Sequence, residues 1–120
     1  MHELSVAGAV LETVERHADG RPVTLVKVRV GRLRQVVPES LRFYWEIVAR
    51  DTICDGARLE LEHVAAELAC TECGRRWAPE LPMFRCARCG STGVEVRAGD
   101  QLEVEYIEVE QKEAECIAPG

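Results

Sequence analysis

The sequence predicts an α+β fold, a small three-stranded sheet with two helices, interrupted by an inserted cysteine-rich module. Three observations predict it. Two amphipathic helical stretches and two strand-like runs fill the first 64 residues, a doubled Cys-x-x-Cys pattern follows, and one more alternating run comes after it. A lone strand beyond residue 100 is not stable by itself, so it is expected to pair with the earlier strands and leave the cysteine segment as an insertion.

Each element has its own warrant. Residues 4–18 carry Leu4, Ala7, Leu11, Val14 and Ala18 at three- to four-residue spacing, the stripe of a half-buried helix, and Asp19-Gly20 supplies a stop. In residues 23–30, Val26, Val28 and Val30 alternate with Lys27 and Arg29, the period of a strand. Gly31 ends that run. Pro38 suits the first position of a second helix to about Ala49, whose apolar stripe is Leu41, Tyr44, Trp45 and Val48. Asp55-Gly56 is a turn signal, and a strand over 58–64 should face Leu59 and Leu61 inward. In the last strand, at about 101–109, Leu102, Val104 and Tyr106 alternate with Glu103 and Glu105. The expected divisions are an α/β domain of residues 1–66 and 97–110, an inserted domain of 67–96, and a loose polar tail of 111–120.

Composition narrows the function. The chain has 120 residues, 47% of them hydrophobic but only 5% aromatic, enough for an aliphatic core. Its formal charge is 15 − 21 = −6, which repels phosphate backbones and argues against nucleic acid as the main partner. Apolar stretches fall far short of the roughly 20 residues of a membrane span. Met1-His2-Glu3-Leu4 has neither the basic nor the apolar region of a signal peptide, so a cytoplasmic location is expected, where cysteines stay reduced and bind metal.

The cysteines are the strongest signal. Cys70-Thr-Glu-Cys73-Gly74 and Cys86-Ala-Arg-Cys89-Gly90 are two knuckles separated by twelve residues. Two residues between thiols let both sulfurs reach one ion, and the following glycine permits the tight turn. Four thiolates close a tetrahedral site with no vacancy for substrate, the pattern of a structural zinc ribbon, although an iron site of the rubredoxin kind uses the same ligands. Zinc on four thiolates adds −4 + 2, giving about −8. Trp77 and Phe84 are candidates to cover the metal. Cys54 reads as a small buried hydrophobe and Cys116 as an exposed thiol in the tail. His17 reads as a solvated helix residue and His63 as a residue at the rim of the sheet.

The amino terminus has a specific chemistry. A free α-amine, the His2 amide and the His2 imidazole can close fused chelate rings on Ni(II) or Cu(II), with Glu3 adjacent. Taken by themselves, these residues also fit a frayed terminus with an incidental histidine.

Five stretches together resemble the HypA/HybF nickel metallochaperones: Met1-His2-Glu3-Leu4-Ser5, Val28-Arg29-Val30-Gly31-Arg32-Leu33, Val37-Pro38-Glu39-Ser40-Leu41-Arg42-Phe43, Gly56-Ala57-Arg58-Leu59-Glu60-Leu61, and the paired knuckles. The likeness is collinear from residue 1 to about 110. It implies a nickel site on Met1 and His2 with Glu3 beside it, and structural zinc on Cys70, Cys73, Cys86 and Cys89. It further implies a non-enzymatic carrier that delivers nickel in [NiFe]-hydrogenase or urease maturation. The partners it implies are a nickel-handling GTPase, the hydrogenase large-subunit precursor and, in urease-bearing organisms, urease accessory proteins. The tail after Glu110, with Cys116, has no counterpart in that family. Two other readings compete. One is a zinc-ribbon adaptor for protein or nucleic acid, favoured by Arg75, Arg76, Arg85 and Arg88. The other is a thiol oxidoreductase using its Cys-x-x-Cys pairs, although no catalytic constellation is readable elsewhere.

Overall fold

The computed structural model describes residues 2–79 and 84–110. Met1 and the 111–120 tail, including Cys116, lie outside the described residues. Helix α1 (Glu3–Ala18) leads into β1 (Val23–Gly31), a 3-10 turn (Arg32–Arg34) and helix α2 (Pro38–Ala49). Strand β2 (Arg58–Val64) follows, then β3 (Glu67–Cys70), β4 (Arg76–Trp77), β5 (Val94–Ala98) and β6 (Leu102–Val109). Two sheets result, ordered β2-β1-β6 and β4-β3-β5.

The first sheet is the expected three-stranded one. β2 runs parallel to β1, with Val26 opposite Leu59 and Val28 opposite Leu61, and α2 is the crossover that a parallel pair requires. β6 returns antiparallel on the other side of β1. Valines 26, 28 and 30 are fully buried beneath Val10 and Val14 of α1 and Leu41 and Trp45 of α2. Trp45 satisfies its indole by donating Nε1–H to the Ala57 carbonyl at 3.0 Å. On the opposite face of the sheet, Arg29 bridges Glu62 at 3.6 Å and Glu103 at 3.3 Å, tying all three strands together.

Two expectations need correction. The buried stripe of α1 is Glu3, Val6, Ala7, Val10, Val14 and Ala18, while Leu4 is 52% exposed. The helix is therefore rotated toward the smaller residues, which let it approach the sheet and α2 closely. In β6, Val104 faces the core, but an irregularity between Lys27 and Val28 shifts the register. A bulge reverses the side-chain alternation beyond it. Tyr106 consequently pairs with Lys27 on the outer face, and Ile107 takes the inner position opposite Val26.

The second sheet is joined to the first at a narrow crossing. Val64 pairs with Gly31 where β2 ends, and Gly31 donates its N–H to Gln101 just before β6 begins, at 2.8 Å. Leu33 donates to Gly99, also at 2.8 Å. A Cβ on Gly31 would collide with the Gly99 carbonyl, and one on Gly99, whose φ is 105°, would lie 2.5 Å from the Ala66 Cα. Only glycine permits backbones to approach so closely here.

Candidate metal centres

The four knuckle cysteines converge. Their sulfurs all lie within 4.8 Å of one another, with Cys70–Cys89 at 3.6 Å and Cys73–Cys86 at 3.7 Å. Four sulfurs around one ion at about 2.3 Å would be about 3.8 Å apart, so the quartet fits a tetrahedral ion of that size. Each short contact joins one knuckle to the other, rather than the two cysteines of one Cys-x-x-Cys. This interleaving suits shared coordination and not a redox pair within a knuckle.

The two knuckles are built alike. Cys70 donates its N–H to the Arg75 carbonyl at 2.8 Å and accepts from Gly74 N–H at 3.0 Å. Cys86 donates to Ser91 at 2.9 Å and accepts from Gly90 at 2.7 Å. Gly74 and Gly90 close these turns with φ of 77° and 76°, a backbone region costly for other residues. In each knuckle the first cysteine is buried and the second exposed. The Cys73 N–H also points at the Cys70 sulfur, 3.5 Å away, as thiolate ligands require.

The electrostatics favour a cation. The Cys89 backbone N–H, followed by that of Arg88, holds the Cys86 thiol down to about 6. The Cys73 backbone N–H likewise lowers Cys70. The Ser91 N–H acts to lower Cys89, but the Cys70 sulfur, loss of solvation and then the sulfurs of Cys86 and Cys73 push it up to about 12. Crowded thiols cannot all ionise without a positive charge between them, and a divalent ion supplies it. Around the quartet, Trp77 is half-buried under the Arg75 guanidinium at 5.3 Å, whereas Phe84, the other candidate cover, is 49% exposed. Arg76 pairs with Glu67 at 3.6 Å, so part of the ribbon's positive charge is engaged within it.

Of the amino-terminal set, His2 and Glu3 are described. His2 is the N-cap of α1, with φ −117° and ψ 23°, and its carbonyl accepts the Val6 N–H at 3.0 Å. Its side chain makes no capping hydrogen bond and is exposed, which leaves the imidazole available to a metal. Glu3 is only 4% exposed, and its Oε2 accepts the Val37 N–H at 3.0 Å. The positive terminal amino group, and then the Val37 N–H, hold its carboxyl down at about 2. Sequence reasoning missed this anchoring role, although the spacing of Glu3, Ala7, Val10 and Val14 puts Glu3 in the buried frame. Because Val37 is the N-cap of α2, this bond ties the residue after His2 to the start of the second helix.

The remaining candidates fall outside both centres. Cys54 is fully buried, its thiol pushed up to about 11 by that burial and by the charge of Glu15. His17 is exposed and its Nδ1 lies 2.8 Å from the Thr13 carbonyl, and His63 is also exposed. Among the described residues no helix is long and apolar enough to cross a membrane, and the cysteine quartet is the sole cluster of metal-ligating side chains.

Comparison with known proteins gives a consistent picture. Residues 1–109 match the family model described as hydrogenase/urease nickel incorporation, metallochaperone, hypA. A hydrogenase maturation factor HypA of Geobacter metallireducens is 39% identical over 110 residues, covering 92% of this chain and 100% of that protein. That of Geotalea uraniireducens is 41% identical over the same shares. In structure, the nickel metallochaperone HypA of Helicobacter pylori superposes with a TM-score of 0.68 at 22% identity, covering 93% of this chain and all of that one. The likeness in structure carries the fold, and that in sequence the kinship.

Proposed function

This chain belongs to the HypA family of nickel-incorporation metallochaperones, and from that premise we propose that it binds Ni(II) at its amino terminus and delivers it during [NiFe]-hydrogenase maturation. The observation that carries this reading is His2, an exposed imidazole beside the chain terminus, at the mouth of a helix whose next residue is anchored. The Met1 α-amine, the His2 amide nitrogen and the imidazole supply a nitrogen-rich set suited to a square-planar or tetragonal ion. Glu3 contributes by position, and through its backbone or carboxylate where the bond to Val37 yields. Protons compete for the amine and the imidazole, so acidification releases the cargo, as a carrier requires.

The cysteine quartet is assigned to structural zinc. Zn(II) there would neutralise charge and hold the two knuckles together, and it would offer cargo no open position. The division we assign is an α/β domain in 1–66 and 97–110 and a ribbon in 67–96, with the last two residues of the ribbon strand β5, Arg97 and Ala98, falling across that boundary. The protein acts as a carrier, not a catalyst. A nickel-handling GTPase and the large-subunit precursor are its proposed partners, with urease accessory proteins where urease is the client, and the cytoplasm is its proposed compartment.

The test is a Ni(II) titration of the untagged, zinc-loaded protein beside a version with extra residues before Met1 and a His2→Ala variant. The native chain should take up about one nickel and the other two should lose it. Equal binding by all three would move the nickel site elsewhere. No binding by any would return the protein to the zinc-ribbon adaptor reading.

A further inference from the structure

Helix α2 carries a second face that the core does not use. Leu41, Trp45 and Ala49 are buried, while Phe43 is 60% and Ile47 44% exposed on the opposite side. At 100° per residue, Glu39, Phe43, Ile47 and Arg50 fall within about 80° of arc, forming one stripe that reads acid, apolar, apolar, base. All four are exposed. Among the described residues Glu39 and Arg50 have no salt-bridge partner. Attraction to the helix dipole accounts for an acid at the start and a base at the end. It does not account for two large apolar side chains left in water between them.

The stripe is self-complementary. In two antiparallel helices related by a two-fold axis, the same flank of each faces the other, and positions equidistant from the axis meet. The midpoint of Phe43 and Ile47 is Trp45, and that of Glu39 and Arg50 lies between Tyr44 and Trp45. One axis therefore sets Phe43 against the second copy's Ile47 and, at the same time, Glu39 beside the second copy's Arg50, at both ends. We propose that this face of α2 is a contact between two copies of this chain, forming an antiparallel helix pair with an apolar centre and two ion pairs. A single helix face is far smaller than the surface of a stable dimer, so the association is weak and concentration-dependent. It uses none of the metal-ligating residues named above, and is independent of the metal assignments.

Sedimentation velocity on the full, zinc-loaded chain from micromolar to millimolar concentration tests it. Wild type should move from monomer toward dimer as concentration rises, and Phe43→Ser with Ile47→Ser should stay monomeric. Glu39→Arg alone should weaken association, because it places like charges together at both ends. Combining Glu39→Arg with Arg50→Glu restores opposite charges and should recover it. Circular dichroism on each variant verifies that α2 is intact. Three results would each overturn the proposal: a wild type that stays monomeric throughout, a Phe43/Ile47 variant that still dimerises, or a double reversal no better than Glu39→Arg alone.

Discussion

Each sheet in this protein has three strands, but their interiors differ in kind. The α/β sheet lies against two helices over a continuous cluster of Val10, Val14, Val26, Val28, Val30, Leu41 and Trp45. Among its described residues the ribbon buries Leu68, Ala69 and little else of an apolar nature, beside the sulfurs of Cys70 and Cys86. A hydrophobic core is adequate for the first region. The second has too little apolar surface to offset the entropy of ordering its chain, and an ion bound by four sulfurs stands in for the missing core.

The largest effect that could break this contrast is metal removal. Chelation, or Cys86→Ala, should abolish amide-exchange protection at Cys70, Gly74, Cys86 and Gly90, whose N–H groups shape the knuckles. Structural zinc is worth about 10–16 kcal/mol to folding in small metal modules. β1, β2 and β6 should keep their protection in the same experiment. If both sheets lose protection together, the two regions share one stability and the contrast fails.

Next in size is Leu41→Ala. Its side chain is fully buried beneath α1, so the cavity should cost the α/β region about 2–5 kcal/mol. Urea unfolding monitored at Trp45 would read that loss, and competition against a chromophoric chelator should show zinc affinity unchanged. A tenfold fall in affinity would mean that the core supports the metal site after all.

The smallest effect sharpens the boundary from the α/β side. The folded Glu3 carboxyl lies at about 2 against an ordinary 4.5. A depressed carboxyl stabilises the fold above its unfolded value, and that contribution disappears as pH falls through the folded value. Wild type should therefore be more stable than Glu3→Gln at neutral pH, and the gap should close between pH 4.5 and about 2. A gap constant across that range would mean that ionisation of Glu3 contributes nothing.

Much of this was legible beforehand, for physical reasons. The quartet could be read because ligand spacing is local and demands particular residues, and the two knuckles state it twice. Helix α2 and strand β1 were legible from simple periodicity around Pro38 and the valines. Less accessible was anything set by contacts distant in sequence. The rotation of α1 depends on which small residues let it approach the sheet, and the exposure of Tyr106 depends on a register shift opposite Lys27. Glu3 could be read as a neighbour of His2 in the nickel site, but its additional tie to Val37 exists only after two helices meet. Gly31 could be read as a strand ending, but its crowding against Gly99 comes from a segment that returns after the whole ribbon.

That crowding has a consequence for how such a chain can be altered. Val64, where the chain departs, and Gln101, where it comes back, both meet the single residue Gly31. Everything between them hangs from one port, like a fitting on a socket. A short turn spliced across the port should leave a compact remainder, and a different module could be grafted there without re-threading the sheet. The limit on such exchange is steric: whatever occupies the port must carry a residue without a side chain where Gly99 now passes Ala66 and Gly31.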